Sequence, residues 1–131
     1  AYLETLTALH DNSNVKRRYA GKGILREDAL VVDAPAEHPV VRRHPVTGRK
    51  ALYVNVNYTQ RIANLSEVES RHILNMIYEH NKKPEFQCRF RWRAGSLAIW
   101  DNRCTQHYAL DDYKVLRRMR RVQIAGDRPF L

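Results

Sequence analysis

Phe86-Gln87-Cys88-Arg89-Phe90-Arg91-Trp92-Arg93 alternates apolar and polar side chains from end to end. A two-residue period puts Phe86, Cys88, Phe90 and Trp92 on one face of an extended chain and the polar residues on the other. The stretch is therefore predicted to be a strand with one apolar face. Downstream, Ala94-Gly95 supplies a turn, and Leu97 to Trp100 reads as a second, buried strand. Leu116 to Ala125 reads as a third, ended by Gly126-Asp127-Arg128-Pro129. Strands of this length have edges to hide, so they must close against further strands. The expected fold class is mainly β with flanking helices, with a sandwich or jelly roll as the favoured architecture.

Upstream of this core, Ser66-Glu67-Val68-Glu69 has the Ser-x-x-Glu spacing of a capping box. Val68, Ile73, Met76, Ile77 and His80 continue it at helical intervals, so a helix is predicted over 66–80. In HPVVRRHPVTGRKALYVNVN (38–57), Pro45-Val46-Thr47-Gly48 sits between two β-rich runs and provides what a hairpin turn needs. Tyr2, Leu6 and Leu9 have helical spacing, which predicts a short amphipathic helix ending near His10, uncapped at its start. Residues 12–37 are polar and basic, with Gly21, Gly23 and Pro35, and read as a lid or excursion loop.

The whole, 131 residues with 44% hydrophobic content, suits one modest domain. No run of about 18 apolar residues could span a bilayer, and AYLETLTALHD lacks a signal-peptide layout. A soluble, cytoplasmic protein is expected. Cys88 and Cys104 make neither a CxxC pair nor a disulfide framework, so both are expected as reduced thiols. A net charge of +9 could mean nucleic acid, an anionic substrate, or a missing acidic counterpart. Many arginines fall in two short stretches, Arg89/Arg91/Arg93 and Arg117/Arg118/Arg120/Arg121, which suits anionic pockets as well as phosphate backbones.

The chemistry concentrates in Trp100-Asp101-Asn102-Arg103-Cys104-Thr105-Gln106-His107-Tyr108-Ala109, followed by Arg117 and Arg121. WDNR-x-TQHYA and an Arg-rich stretch ending in AGD-x-PF resemble the C-terminal signature of the taurine dioxygenase family, which also includes alkylsulfatases and phenoxyalkanoate dioxygenases. HPVVRRHPVTGRKALYVN and KPEFQCRFRWRAGSLAIWDN resemble it too, so the likeness covers most of the chain from His38 onward. Residues 1–11 match more loosely and 12–36 hardly at all.

The resemblance implies the double-stranded β-helix (jelly roll), here its C-terminal portion, as a single partial domain over 1–131. It also implies an iron(II)- and 2-oxoglutarate-dependent dioxygenase that hydroxylates a small anionic substrate: a sulfonate such as taurine, an alkyl sulfate or an aryloxyalkanoate. In such sites iron is held by two histidines and one carboxylate, leaving positions for 2-oxoglutarate and molecular oxygen. His107 matches the distal histidine. A lone loop histidine is usually an ordinary surface residue, and it is the flanking motif that singles this one out.

Arginine suits the anions, because its guanidinium fork matches carboxylate or sulfonate bidentately and stays charged at any working pH. On a strand, Arg117 and Arg121 would share the inward face while Arg118 and Arg120 point outward. By resemblance Arg117 grips the distal carboxylate of 2-oxoglutarate, and Arg121 sits beside the substrate's acidic group and the cosubstrate's other end. Family members usually place these arginines one residue further from the histidine, which leaves Arg118 as a rival for Arg117. Tyr58 matches an aromatic that lines the substrate pocket, with core packing as its equal alternative. Asp101 and Asn102 are expected to brace the loop that positions His107.

The first histidine and the carboxylate come as His-x-Asp or His-x-Glu in this family. None of His10, His38, His44, His72 or His80 has an acidic residue two places later. The chain is thus expected to be part of something longer and, alone, to bind iron weakly or not at all. Self-association is expected, and neither nucleic acid nor membrane is an expected partner. The rivals are a basic nucleic-acid-binding domain, whose affinity would fall steeply with salt, and a non-catalytic interaction domain derived from the enzyme fold.

Overall fold

Gly48, held at φ +68°, lets the chain reverse after Pro45 and closes the hairpin that its turn residues predict. The computed structural model describes residues 1–20, 34–110, 112–116 and 118–131. In chain order these form a 3-10 turn Tyr2–Thr5, strand β1 Thr7–His10, helix α1 Ser13–Tyr19, and strands β2 Ala36–Pro39, β3 Val41–Arg43, β4 Lys50–Leu52 and β5 Thr59–Ile62. Helix α2, Glu67–Asn81, and a second 3-10 turn, Pro84–Phe86, follow.

Both sheets are antiparallel. One is three-stranded in the order β2-β1-β5, and the other is the β3-β4 hairpin with Val41 opposite Leu52 and Arg43 opposite Lys50. The chain passes from one sheet to the other at Val40, whose N–H donates to Leu6 O (2.9 Å) and whose carbonyl accepts from Tyr53 N (2.7 Å). Val40 is fully buried there. With Leu6, Ala8, Val54, Ile62, Leu74 and Ile77 it makes the core, so that α2 is packed onto the sheets through its own apolar side chains.

Helix α2 starts where the capping box predicts. Ser66 Oγ accepts from Glu69 N, and Glu69 Oε2 accepts from Ser66 N (3.0 Å). Its buried face is Ser70, Leu74 and Ile77, a spacing that lies about a quarter-turn from the stripe expected from sequence. Of that stripe Val68 and Met76 are exposed. The displaced face is set by a polar contact, Ile62 N donating to the buried Ser70 Oγ at 2.8 Å, which ties the helix to the edge of β5.

Three expectations are corrected. The helix expected over 2–10 is a 3-10 turn followed by β1, because Leu6 and Ala8 alternate inward and the segment gains ladders to both β2 and β5, which a lone uncapped turn of helix cannot match. The 12–37 segment opens with helix α1 and ends in β2; the lid or excursion loop expected there falls mainly on residues 21–33, which lie outside the described residues. The strands expected over 86–93, 97–100 and 116–125 are absent among the described residues. Phe90, Leu97, Ile99, Leu116, Val122 and Ile124 of those stretches are exposed. A strand exists through its ladder to a neighbour, and alternation alone does not hold one where no partner edge is offered.

Candidate functional site

Asp101 organises the loop that carries the motif. Its Oδ1 accepts from the backbone N–H of Arg103 (2.9 Å), the turn that an Asx side chain makes two residues ahead of itself. Both carboxylate oxygens also accept from the Arg103 guanidinium, Nε to Oδ1 at 2.9 Å and NH2 to Oδ2 at 2.7 Å. Beside it, the Trp100 indole donates to Asn102 Oδ1 at 2.8 Å. The bracing expected of Asp101 and Asn102 thus exists as contacts within WDNR itself.

A second anchor comes from the hairpin. His44, 8% exposed, closes β3 and lies 3.0 Å from Asp101 Oδ2 through Nε2. Its Nδ1 faces the backbone N–H groups of Val46 and Thr47, each at 3.2 Å. An atom that accepts two N–H donors carries no proton, so Nε2 bears the hydrogen and donates it to Asp101. Arg103 first, and then His44, hold the Asp101 carboxyl well below the usual carboxylate range.

Gln106, next to His107, is tied separately. Its Nε2 donates to Val54 O at 2.7 Å, and its Oε1 accepts from Asn55 Nδ2 at 3.4 Å. Asn55 in turn shapes the bend that ends in Tyr58: its side chain accepts from Asn57 N (2.8 Å) and its carbonyl from Tyr58 N (3.1 Å). Tyr58 leaves that bend with its side chain half exposed.

The structure therefore brings Tyr58's bend and the motif loop to one side of the hairpin. His107 is exposed, its ring 5.2 Å from that of Trp100. Arg121 is exposed in a segment without secondary structure, and no hydrogen bond or ion pair joins it to His107 or Tyr58 among the described residues. The inward direction expected of it would need the strand that is missing. Arg117 lies outside the described residues, and its rival Arg118 is exposed. Hollows of about 380 and 210 Å³ lie against Tyr2, Val41 and Lys50, and against Leu3, Met76 and His80, and include none of the expected site residues.

Two further clusters invite a metal reading. His44, Asp101 and Cys104 offer ligand atoms within 4.8 Å of one another. Here the nitrogen facing the others bears a proton, and both carboxylate oxygens hold a guanidinium, so a cation would have to displace Arg103 and reverse the tautomer fixed by the turn. The second is an aromatic stack of His10, His38 and Tyr53, with ring centroids 5.4 to 5.8 Å apart, and the buried Arg42 guanidinium lies over Tyr53 at 5.1 Å. Burial, and after it the neighbouring His38, pushes His10 down to about 4. His38 is lowered by burial and by Arg128 and Arg42. Sequence reasoning weighed His44 only as a metal ligand; the signal it missed was a histidine at the threshold of a hairpin turn, with N–H groups to spare just ahead of it.

The sequence profile described as "Taurine catabolism dioxygenase TauD, TfdA family" matches residues 1–123. The chain belongs to this family. An alpha-ketoglutarate-dependent sulfate ester dioxygenase of Pseudomonas putida is 47% identical over 94 residues, 71% of this chain and 31% of that protein. An alkylsulfatase of Acinetobacter baylyi is 35% identical over 133 residues, 96% and 42% of the two. The crystal structure of a taurine dioxygenase from Burkholderia xenovorans superposes with a TM-score of 0.59 at 35% identity, covering 78% of this chain and 31% of that one. This TauD/TfdA chain spans 31% to 42% of the length of these relatives. For an iron(II) of the facial-triad kind, its described residues fit one corner: His107 has an exposed imidazole free to ligate, and the histidine and carboxylate nearest the loop are committed to each other.

Proposed function

We propose that this chain is the C-terminal part of an iron(II)- and 2-oxoglutarate-dependent dioxygenase that hydroxylates a small anionic substrate, a sulfonate, a sulfate ester or an aryloxyalkanoate. The observation that carries the reading is His107: an uncommitted imidazole at the end of a loop fixed from both sides, inside a motif and a chain that belong to the TauD/TfdA family. In this reading the fold of the whole domain is the jelly roll. The uninterrupted alternation of 86–93 and the exposed apolar side chains downstream supply strands that await partners. The relatives named for sulfate esters and alkyl sulfates favour an acidic substrate, and the reading includes a cytoplasmic protein that self-associates.

His107 would hold one coordination position of the iron, and the other two ligands would come from outside these 131 residues. Bound iron(II), with 2-oxoglutarate, supplies the oxidising power toward molecular oxygen, and the protein's part is orientation and charge. Arg117, with Arg118 as its rival, would bind the distal carboxylate of 2-oxoglutarate, and Arg121 would sit beside the acidic group of the substrate and the cosubstrate's other end. Tyr58, on its own rigid bend, forms a wall of the substrate site. The Trp100 ring lies beside the His107 imidazole, their centroids 5.2 Å apart.

The test uses the whole protein. Succinate formation with taurine, an alkyl sulfate and an aryloxyacetate should require iron(II) and 2-oxoglutarate, and His107→Ala should abolish it. Arg117→Ala should raise the KM for 2-oxoglutarate roughly 10- to 100-fold, the worth of a hydrogen-bonded charge pair. Turnover that survives His107→Ala, or that ignores 2-oxoglutarate, overturns the reading.

A further inference from the structure

We infer that His44 is a positioning residue for the metal-ligating histidine: it reads the geometry of the hairpin turn through Nδ1 and transmits it through Nε2 and Asp101 to the loop that ends in His107. The inference rests on the proposed role of His107 and adds to it a residue 57 positions from Asp101.

The loop between Trp100 and His107 has two fixed points on the rest of the fold, and both are on the same hairpin. Asp101 meets His44, at the end of β3, and Gln106 meets the carbonyl of Val54, just past the end of β4. Val54 is 1% exposed and belongs to the core, so this second point cannot drift. His44 is 8% exposed and its ring is locked by two turn N–H donors, so neither can the first. With both ends held, the direction of the residue after Gln106 is set by the hairpin.

His44 differs from a residue that merely stabilises its own turn, since its two nitrogens do separate jobs. Nδ1 satisfies Val46 and Thr47, within three residues of it. Nε2 spends its hydrogen on Asp101 Oδ2, the same carboxylate oxygen that accepts from Arg103 NH2. That carboxylate is thereby confined between two donors, and it orients the loop while touching neither metal nor substrate.

The two jobs are separable by substitution. Asparagine places an acceptor oxygen where Nδ1 stands, and so keeps the turn, and is too short to reach Asp101. Glutamine places a donor near Nε2. In the whole protein under anaerobic conditions, His44→Asn should weaken iron(II) binding, read by chelator competition, about 10- to 100-fold, the usual effect of losing an outer hydrogen-bond partner of a ligand. His44→Gln should restore most of it. Amide hydrogen exchange gives a readout without metal: in His44→Asn it should rise over 100–107 and stay unchanged over 41–52. Unchanged exchange over 100–107, or iron(II) binding in His44→Asn equal to the parent's, overturns the inference. If the parent itself fails to bind iron(II), the proposed function falls, and hydrogen exchange alone then decides whether His44 pins the loop.

Discussion

Acidification should unfold this chain from the His10–His38 stack outward. His10 packs against the rings of His38 and Tyr53, its Nδ1 lies 3.2 Å from Thr59 Oγ1, and its buried Nε2 has no partner among the described residues. Around it stand His38, Arg42 and, through His38, Arg128, and no carboxylate is among the groups that shift either histidine. A proton on His10 is thus opposed by lost hydration first and by like charge second. The imidazole falls from its ordinary 6.5 to about 4 in the folded chain. Between those values the unfolded chain binds a proton that the folded chain refuses, so stability is full above pH 6.5 and drains away as pH falls toward 4.

The difference corresponds to roughly 3 kcal/mol at 1.4 kcal/mol per tenfold. The ring is only partly enclosed, and solvent screening reduces this to about 1 to 2 kcal/mol. Urea unfolding followed at pH 7.5, 6.5, 5.5 and 4.5 reads the loss, and His10→Phe isolates it. Phenylalanine keeps the ring and cannot titrate; it forfeits the Thr59 contact, which offsets the whole curve without changing its slope. The variant should therefore show a shallower decline than the parent over pH 6.5 to 4.5. Parallel curves in that window would refute the reasoning, because Glu4, held down to about 2 by Lys50 and the N-terminus, loses its contribution only below 4.5, and the shared decline would then belong to a group other than His10.

Ser70→Ala should cost about 1 to 3 kcal/mol in the same assay, since it leaves the Ile62 N–H buried with no acceptor; a loss below about 0.5 kcal/mol would mean that water or a shift of α2 replaces the hydroxyl. Ser66→Ala removes the side-chain half of the capping box on α2, the Oγ that accepts from Glu69 N, while the Ser66 N–H keeps its contact with Glu69, and it should cost about 1 kcal/mol, with Ser66→Asp restoring it; equal stability of all three chains would show that the helix is held by Leu74 and Ile77 alone.

What the sequence disclosed of the fold follows the reach of each interaction. The capping box of α2 and the hairpin turn at Gly48 were legible because their donors and acceptors lie within a few residues. The first strand was misjudged for the opposite reason. Tyr2, Leu6 and Leu9 fit a helix as well as Leu6 and Ala8 fit a strand, and the decision is made by β2 and β5, which are distant in sequence. The alternation at 86–93 is as regular as any in the chain and forms no strand, so periodicity reports which face a segment would bury and is silent on whether a partner edge is present.

The candidate site divides along the same line. WDNR-x-TQHYA was readable through its resemblance to the family, and the Asp101 contacts to Arg103 lie inside that motif. His44 was not, since its role depends on a hairpin that brings it back to Asp101 across 57 positions. This division bears on how the two halves of the chemistry are built. Among the described residues, the loop before His107 is tied to the hairpin and to itself, without help from any strand downstream of it. Arg121, by contrast, would owe an inward direction to a strand that needs a neighbour, and it lies exposed on a segment with no ladder among the described residues. Under the proposed function, the metal-ligand side would be organised by local bonds and two tethers and the anion-binding side by closure of the sheet, so closure would be the step at which charge and ligand meet.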